Sequence, residues 1–266
     1  MIDFSICIEL AFAEDERSYP DRVRAAADAG FAAVEIWDWQ GKPLGELGLA
    51  LRETGTALHT LCAEGWQDKC QLGDPASHPR FVERVAAAAA VATELGVPKI
   101  VVLAGNLVPG QSRAAQLAAA GDALARASDA IANLPVELLV EVVNREFEGP
   151  NALLQDSATT IELLRKLGRP NVRYLYDRYH AILNGEALGE AVGGNMDLVG
   201  HIQAADLPGR CELGAGALDW VQELRWLIEA DYSGYVGIEA IPKGPSALIR
   251  ASAAALLEKA KASIPR

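Results

Sequence analysis

Eight short apolar runs rich in β-branched residues, the Ala- and Leu-rich stretches of helical periodicity between them, and a length of 266 residues predict an α/β fold. The expected form is a single (β/α)8 TIM barrel occupying residues 1–266 as one domain. Uninterrupted strand–helix alternation implies parallel strands joined by right-handed crossovers, and eight such units in about 250 residues are the usual size of a closed barrel. A doubly wound open sheet is the competing arrangement. Its dinucleotide-binding form places a glycine-rich turn after the first strand, whereas ELAFAEDERS contains no glycine.

The strands are read over 4–10 (FSICIEL), 32–37 (AAVEIW), 57–62 (ALHTLC), 99–105 (KIVVLAG), 136–143 (VELLVEVV), 172–177 (VRYLYD), 198–206 (LVGHIQAAD) and 235–241 (YVGIEAI). The helix at 20–29 opens on Pro20 and closes at Gly30, that at 79–95 closes at Gly96, and that at 156–167 closes at Gly168. Helices are also read over 113–132 and 246–261, with shorter ones over 44–54, 186–193 and 219–230. The Ala-rich runs at 86–90 and 252–255 are helix formers within helical stretches.

Thirty-six acids against 24 Lys and Arg leave a formal charge of −12, which opposes any polyanionic partner. Neither nucleic acid nor an anionic membrane is expected as a partner. The N-terminal apolar run lacks a basic region ahead of it and contains Asp3 and Glu9, unlike a signal peptide, and no apolar stretch reaches membrane-spanning length. Four cysteines without C-x-x-C spacing indicate a reduced thiol complement. A cytoplasmic protein is expected, acting as a homo-oligomer, dimer or tetramer.

In such a barrel the active site lies at the C-terminal ends of the strands, so a polar residue closing an apolar strand is the informative event. The last four strands place Glu141, Asp177, Gln203 and Glu239 near such ends. Neighbouring strands run about 5 Å apart, near enough for these side chains to converge. Three carboxylates gathered in a low-dielectric mouth repel one another unless a cation sits among them. With the amide oxygen they form a hard donor set for one divalent ion, Mg2+ or Mn2+, with Co2+ also admissible. A lone glutamate ending a strand is ordinarily a solvated cap or an ion-pair partner; four polar endings in succession favour the metal.

His180 is either a donor to a substrate oxygen or a surface histidine. His201, two residues before Gln203 on the same strand face, either lines the barrel or supports a ligand through a hydrogen bond, and the second is preferred. Asp206 is either a loop cap or a support behind the ligands. His59, Cys62 and Cys7 read as core. Trp37, Trp39 and Trp66 lie at or after strand ends, as an aromatic wall over a small substrate or as part of a subunit interface.

Through nearly its whole length the chain resembles the xylose-isomerase-like TIM-barrel superfamily, and within it the hydroxypyruvate isomerase group. The likeness is carried by AGFAAVEIW, EGWQDKCQLGDPASHPRF, VLAGNLVPG, GRPNVRYLYDRYHA, GHIQAADLPGR and GYVGIEAIPKG. The resemblance implies metal ligands at Glu141, Asp177, Gln203 and Glu239, with Glu141 and Glu239 doubling as the acid/base pair. It also implies substrate contacts from His180 and Arg210. The implied chemistry is aldose–ketose-type isomerisation through an enediolate, hydroxypyruvate to tartronate semialdehyde being the prototype. A keto-acid carboxylate needs a cation, and Arg210 is bidentate and permanently charged, with Lys69 and Lys243 as assistants.

The loop after the seventh strand departs from the isomerase pattern. It reads GRCELGAGALD, with Gly209, Cys211 and Ala217 where an Asp, a His and a second Glu are expected. EVVNREFE after the fifth strand is closer to the ketose 3-epimerase pattern, with Glu146 or Glu148 as the substrate-binding acid, and EIWDWQGKPLGEL is unlike the usual isomerase loop. A ketose 3-epimerase and an inosose dehydratase are therefore the nearest rivals. Endonuclease IV is more remote: it needs three zinc ions, several histidine ligands and a basic face, against four histidines and a charge of −12. A non-catalytic sugar-acid binding protein is the remaining alternative.

Overall fold

The structure, a computed structural model, describes residues 1–146 and 149–264. In chain order its elements are β1 (Ile2–Cys7), α1 (Tyr19–Asp28), β2 (Ala33–Asp38), α2 (Leu44–Thr54), β3 (Ala57–Cys62), α3 (His78–Leu95), β4 (Lys99–Leu103), α4 (Arg113–Ala130) and β5 (Glu137–Glu141). There follow α5 (Ser157–Leu167), β6 (Val172–Asp177), α6 (Arg178–Leu183), α7 (Leu188–Val192), β7 (Val199–Ala204), α8 (Trp220–Glu229), β8 (Gly234–Ile238) and α9 (Ile249–Ala262). The strands close into a parallel barrel in the order β1 to β8, the (β/α)8 TIM barrel that the alternation implies. No helix among the described residues is long and apolar enough to cross a membrane.

Helix ends follow local chemistry. Ser18, Ser112, Asp156 and Asp219 cap α1, α4, α5 and α8 by accepting from the backbone N–H groups of Asp21, Ala115, Thr159 and Gln222, which serves donors that a first turn leaves open. Gly96 and Gly168 end α3 and α5 at φ of 71° and 61°, left-handed geometry that glycine adopts without steric penalty.

Packing divides the chain into two compact units. The first comprises Met1–Ile36, Gln40–His59 and His201–Arg266. In it β1 pairs with β2 and β8, and β8 with β7; Ser5 stands opposite Ala33 and Gly237, and Gly237 opposite Gln203. Phe4, Ile6, Val236 and Ile238 are fully buried around these small residues.

The second unit comprises Trp37–Trp39 and Thr60–Gly200. Its β4 pairs with β3 and β5, and β5 with β6, in a register that sets Glu141 opposite Leu103 and Leu175. Val101, Leu139 and Leu175 pack with Cys62 into an apolar cluster. Side chains alternate along a strand, so Glu141 shares the face of Leu139 and Asp177 that of Leu175, each one step nearer the strand's C-terminal end.

The strands at 57–62 and 172–177 begin and end where expected. β1, β4, β5, β7 and β8 stop two or three residues short of their expected C-terminal ends. Val142, Val143, Ala205 and Ala240 are buried nonetheless. Apolar patterning therefore continues into the loops after ladder pairing has ended, because it follows burial rather than hydrogen bonding. The six-residue α6 lies outside every expected helix; it starts directly on Asp177.

Candidate active site

Glu141 ends β5 and Asp177 ends β6. Asp177 Oδ1 accepts from the backbone N–H of Tyr179 at 2.7 Å and of His180 at 3.4 Å, so the carboxylate also caps α6. The short helix carries His180 inward, where it is 1% exposed, which rules out the surface alternative. Its Nε2 lies 3.5 Å from Asp177 Oδ2 and 3.7 Å from Glu141 Oε1. On the other edge of the ring, Nδ1 accepts from the Asn144 backbone N–H at 3.1 Å, with Asn144 Nδ2 at 2.8 Å. A backbone N–H only donates, so the neutral imidazole carries its proton on Nε2. Ligand atoms of Glu141, Asp177 and His180 lie within 4.8 Å of one another, spacing suited to a cation. With Nε2 protonated, His180 enters that group as a donor while the carboxylates supply the ligand oxygens.

Glu35, in β2, is 1% exposed. Its Oε1 accepts from the Ser5 hydroxyl and lies 2.9 Å from His201 Nε2, while its Oε2 accepts from Gln203 Nε2 at 2.9 Å. Burial raises the carboxyl's pKa, but His201, His59 and Ser5 together outweigh it and hold the group down at about 2. A carboxylate only accepts, so the Gln203 NH2 faces it. Gln203 Oε1 points elsewhere, buried and without a hydrogen-bond partner among the described residues. An orphaned buried carbonyl is costly, and a hard cation satisfies it. His201 is fully buried, its ring 4.9 Å from that of His59. Its link to Gln203 runs through Glu35, whose carboxylate the two residues share.

Glu239 lies one residue past β8, and Arg210 Nη2 donates to its Oε1. Arg210 has a φ of 53°, uncommon for a non-glycine residue, and its carbonyl accepts from Ile241 N–H at 2.7 Å. The structure therefore gives Arg210 a protein carboxylate as partner. Asp206 is a loop cap: fully buried, it accepts from the backbone N–H groups of Leu207, Gly214, Gly216 and Leu218 and organises the turn that carries Arg210. Lys243 is exposed and its Nζ donates to the Ala215 carbonyl at 3.0 Å, fastening the loop after β8 to that turn.

Trp66 lines a cavity with Lys69, Asn106, Glu141 and Leu154, and Lys69 Nζ sits 3.7 Å from the Trp66 ring centroid. Burial lowers the Lys69 pKa against the pull of Glu64. Glu146 is exposed in the turn after β5, and Glu148 lies outside the described residues. Cys7 and His59 are buried and Cys62 packs in the core, as expected.

Glu35, Ser5 and Asn144 escape the reading of the sequence. A charged residue inside an otherwise apolar strand was the available signal for Glu35, since such a side chain is buried only when paired. Asn144 follows VELLVEVV directly and gives no comparable signal.

Glu141, Asp177 and His180 meet at the C-terminal ends of β5 and β6, the position where barrel enzymes keep their active sites. Residues 23–260 match the family described as xylose isomerase-like TIM barrel, and the chain belongs to that family. It is 34% identical over 238 residues to a putative hydroxypyruvate isomerase of Streptomyces coelicolor, covering 84% of this chain and 85% of that protein. It is 32% identical over 236 residues to a human protein of the same description, covering 85% and 84%. Among solved structures, an AP endonuclease of family 2 from Brucella melitensis superposes with a TM-score of 0.87 at 23% identity, over 96% of this chain and 99% of that one, a likeness of fold.

Proposed function

We propose that the protein is a divalent-metal-dependent isomerase that interconverts a small hydroxy-carbonyl compound through an enediolate, converting hydroxypyruvate to tartronate semialdehyde. The observation that carries this reading is the buried Gln203 oxygen left without a partner while its NH2 is committed to Glu35. The relatives described as hydroxypyruvate isomerases support the substrate. The ligand set is Glu141, Asp177, Gln203 and Glu239, oxygen donors that suit Mg2+ or Mn2+, with Co2+ also admissible. A cation held there supplies the positive charge that acidifies the substrate carbon and stabilises the enediolate.

The chain's own residues do the rest. One of Glu141 and Glu239 removes a proton from the hydroxyl-bearing carbon, and a glutamate returns one at the neighbouring carbon. The hydroxyl proton passes to the former carbonyl oxygen, so atoms and electrons balance without a co-reactant. His180 offers Nε2–H to a substrate oxygen, held in that tautomer by Asn144. Arg210 fixes the Glu239 carboxylate and presents the permanent cation for the substrate's acid group. Trp66 walls the cavity at Glu141.

The test is to strip the protein of metal, add Mn2+ and supply hydroxypyruvate in deuterated water. Tartronate semialdehyde carrying deuterium at the newly protonated carbon is the expected product. Mn2+-loaded protein that leaves hydroxypyruvate unchanged but epimerises a ketose, or dehydrates inosose, reassigns the activity.

A further inference from the structure

We infer that Glu35 is a positioning residue that sets the Gln203 amide, so that its carbonyl oxygen and not its NH2 group is presented to the cation; this rests on the metal-dependent reading above. A side-chain amide has two ends of nearly equal shape, only one of which binds a cation. A glutamine ligand therefore needs a device that selects the oxygen. Glu35 Oε2 supplies it by accepting from Gln203 Nε2 at 2.9 Å.

The carboxylate is itself pinned. Ser5, on β1, donates to Oε1, and His201 Nε2, on β7, lies 2.9 Å from the same atom. To reach Gln203 on β7 the Glu35 side chain must pass β1 and β8, where Ser5 stands opposite Gly237 and Gly237 opposite Gln203. Neither obstructs it. A Cβ at position 237 would collide with the Glu35 carboxylate and stand 2.8 Å from His201 Nε2, so glycine there keeps the path open. Four residues on four strands thus hold one amide in one orientation.

The experiment measures Mn2+ affinity without substrate, from the paramagnetic resonance signal of free Mn2+, for the wild type, for Glu35→Gln and for the swap Glu35→Gln with Gln203→Glu. In the single variant the two amides face each other and the orientation is no longer selected; affinity is expected to fall roughly ten- to hundredfold. In the swap, the amide introduced at position 35 donates to the carboxylate introduced at position 203, whose other oxygen faces the cation. Affinity is expected to return to the wild-type level or above it. A merely structural Glu35 would not be rescued by moving the acid.

Wild-type affinity in the single variant, or a swap as weak as the single, overturns the inference. If the single variant does not fold, wild-type protein labelled with 15N and 13C glutamine decides. On adding Mg2+, the Gln203 side-chain carbonyl resonance should move while its NH2 protons stay protected from exchange; NH2 protons exchanging like those of a free amide overturn the inference. Protein that binds Mn2+ but leaves hydroxypyruvate unchanged overturns the substrate assignment alone, whereas wild type that binds no Mn2+ overturns both.

Discussion

Two groups of acid and histidine in this barrel use the same residue types for opposite ends. Around Glu141 and Asp177, at the ends of β5 and β6, a histidine held from behind by Asn144 turns its Nε2 proton towards the carboxylates. Around Glu35, inside β2, a hydroxyl, a histidine and an amide all converge on one carboxylate and absorb it into the scaffold. Position along the strand separates the two. An acid at the strand's end faces the site, whereas an acid further down can serve the site only through another side chain.

The widest gap between the groups should open in catalysis. Glu141→Gln is expected to lower kcat about a thousandfold at saturating Mn2+ while leaving the melting temperature nearly unchanged, measured by steady-state kinetics beside thermal denaturation. A large loss of stability instead would place Glu141 with Glu35, among the acids that hold the scaffold.

Acid titration probes the other group. Glu35 sits at about 2 in the folded protein against an ordinary value of 4.5, so as pH falls the unfolded chain takes up this proton first. Its contribution, about 3 kcal/mol, is complete above about pH 4.5 and is lost as pH falls towards 2. Denaturant midpoints of wild type and Glu35→Gln, compared at pH 7, 4 and 3, should converge towards the acid end. Parallel curves would contradict the buried, donor-saturated carboxylate.

A smaller effect comes from a third acid of the absorbed kind. Asp206→Ala strips four backbone N–H groups of their acceptor and is expected to cost about 3 kcal/mol or less, with Asp206→Asn milder because one oxygen remains. Urea midpoints check it. Activity falling well beyond the loss of folded protein would mean that the turn also places Arg210 against Glu239.

The fold was largely legible because a parallel barrel writes itself locally: each strand and each helix has its own periodicity, and caps such as Ser18 and Asp156 sit in sequence beside the helices they start. The strand-end acids and Gln203 were legible for the same reason, since a polar residue closing an apolar run is a local signal. Glu35 was not, because its partners Gln203 and His201 stand 168 and 166 residues away and meet it only once the sheet closes. The six-residue α6 is too short for a periodic signal, and its start depends on Asp177 serving as a cap as well as closing a strand. Lys243 shows in the sequence as a charge, whereas the Ala215 carbonyl that its Nζ meets does not.

The hydrogen bond from Asn144 to His180 has a consequence for competition among metals. Copper and zinc outbind manganese and magnesium at most mixed nitrogen and oxygen sites, and withholding a nitrogen is one way for a site to favour the weaker-binding ions. By occupying Nδ1, the Asn144 amide keeps the proton on Nε2 and withholds the imidazole lone pair from any ion lodged between Glu141 and Asp177. A single backbone N–H just beyond β5 thereby biases this corner of the barrel towards ions that accept oxygen alone.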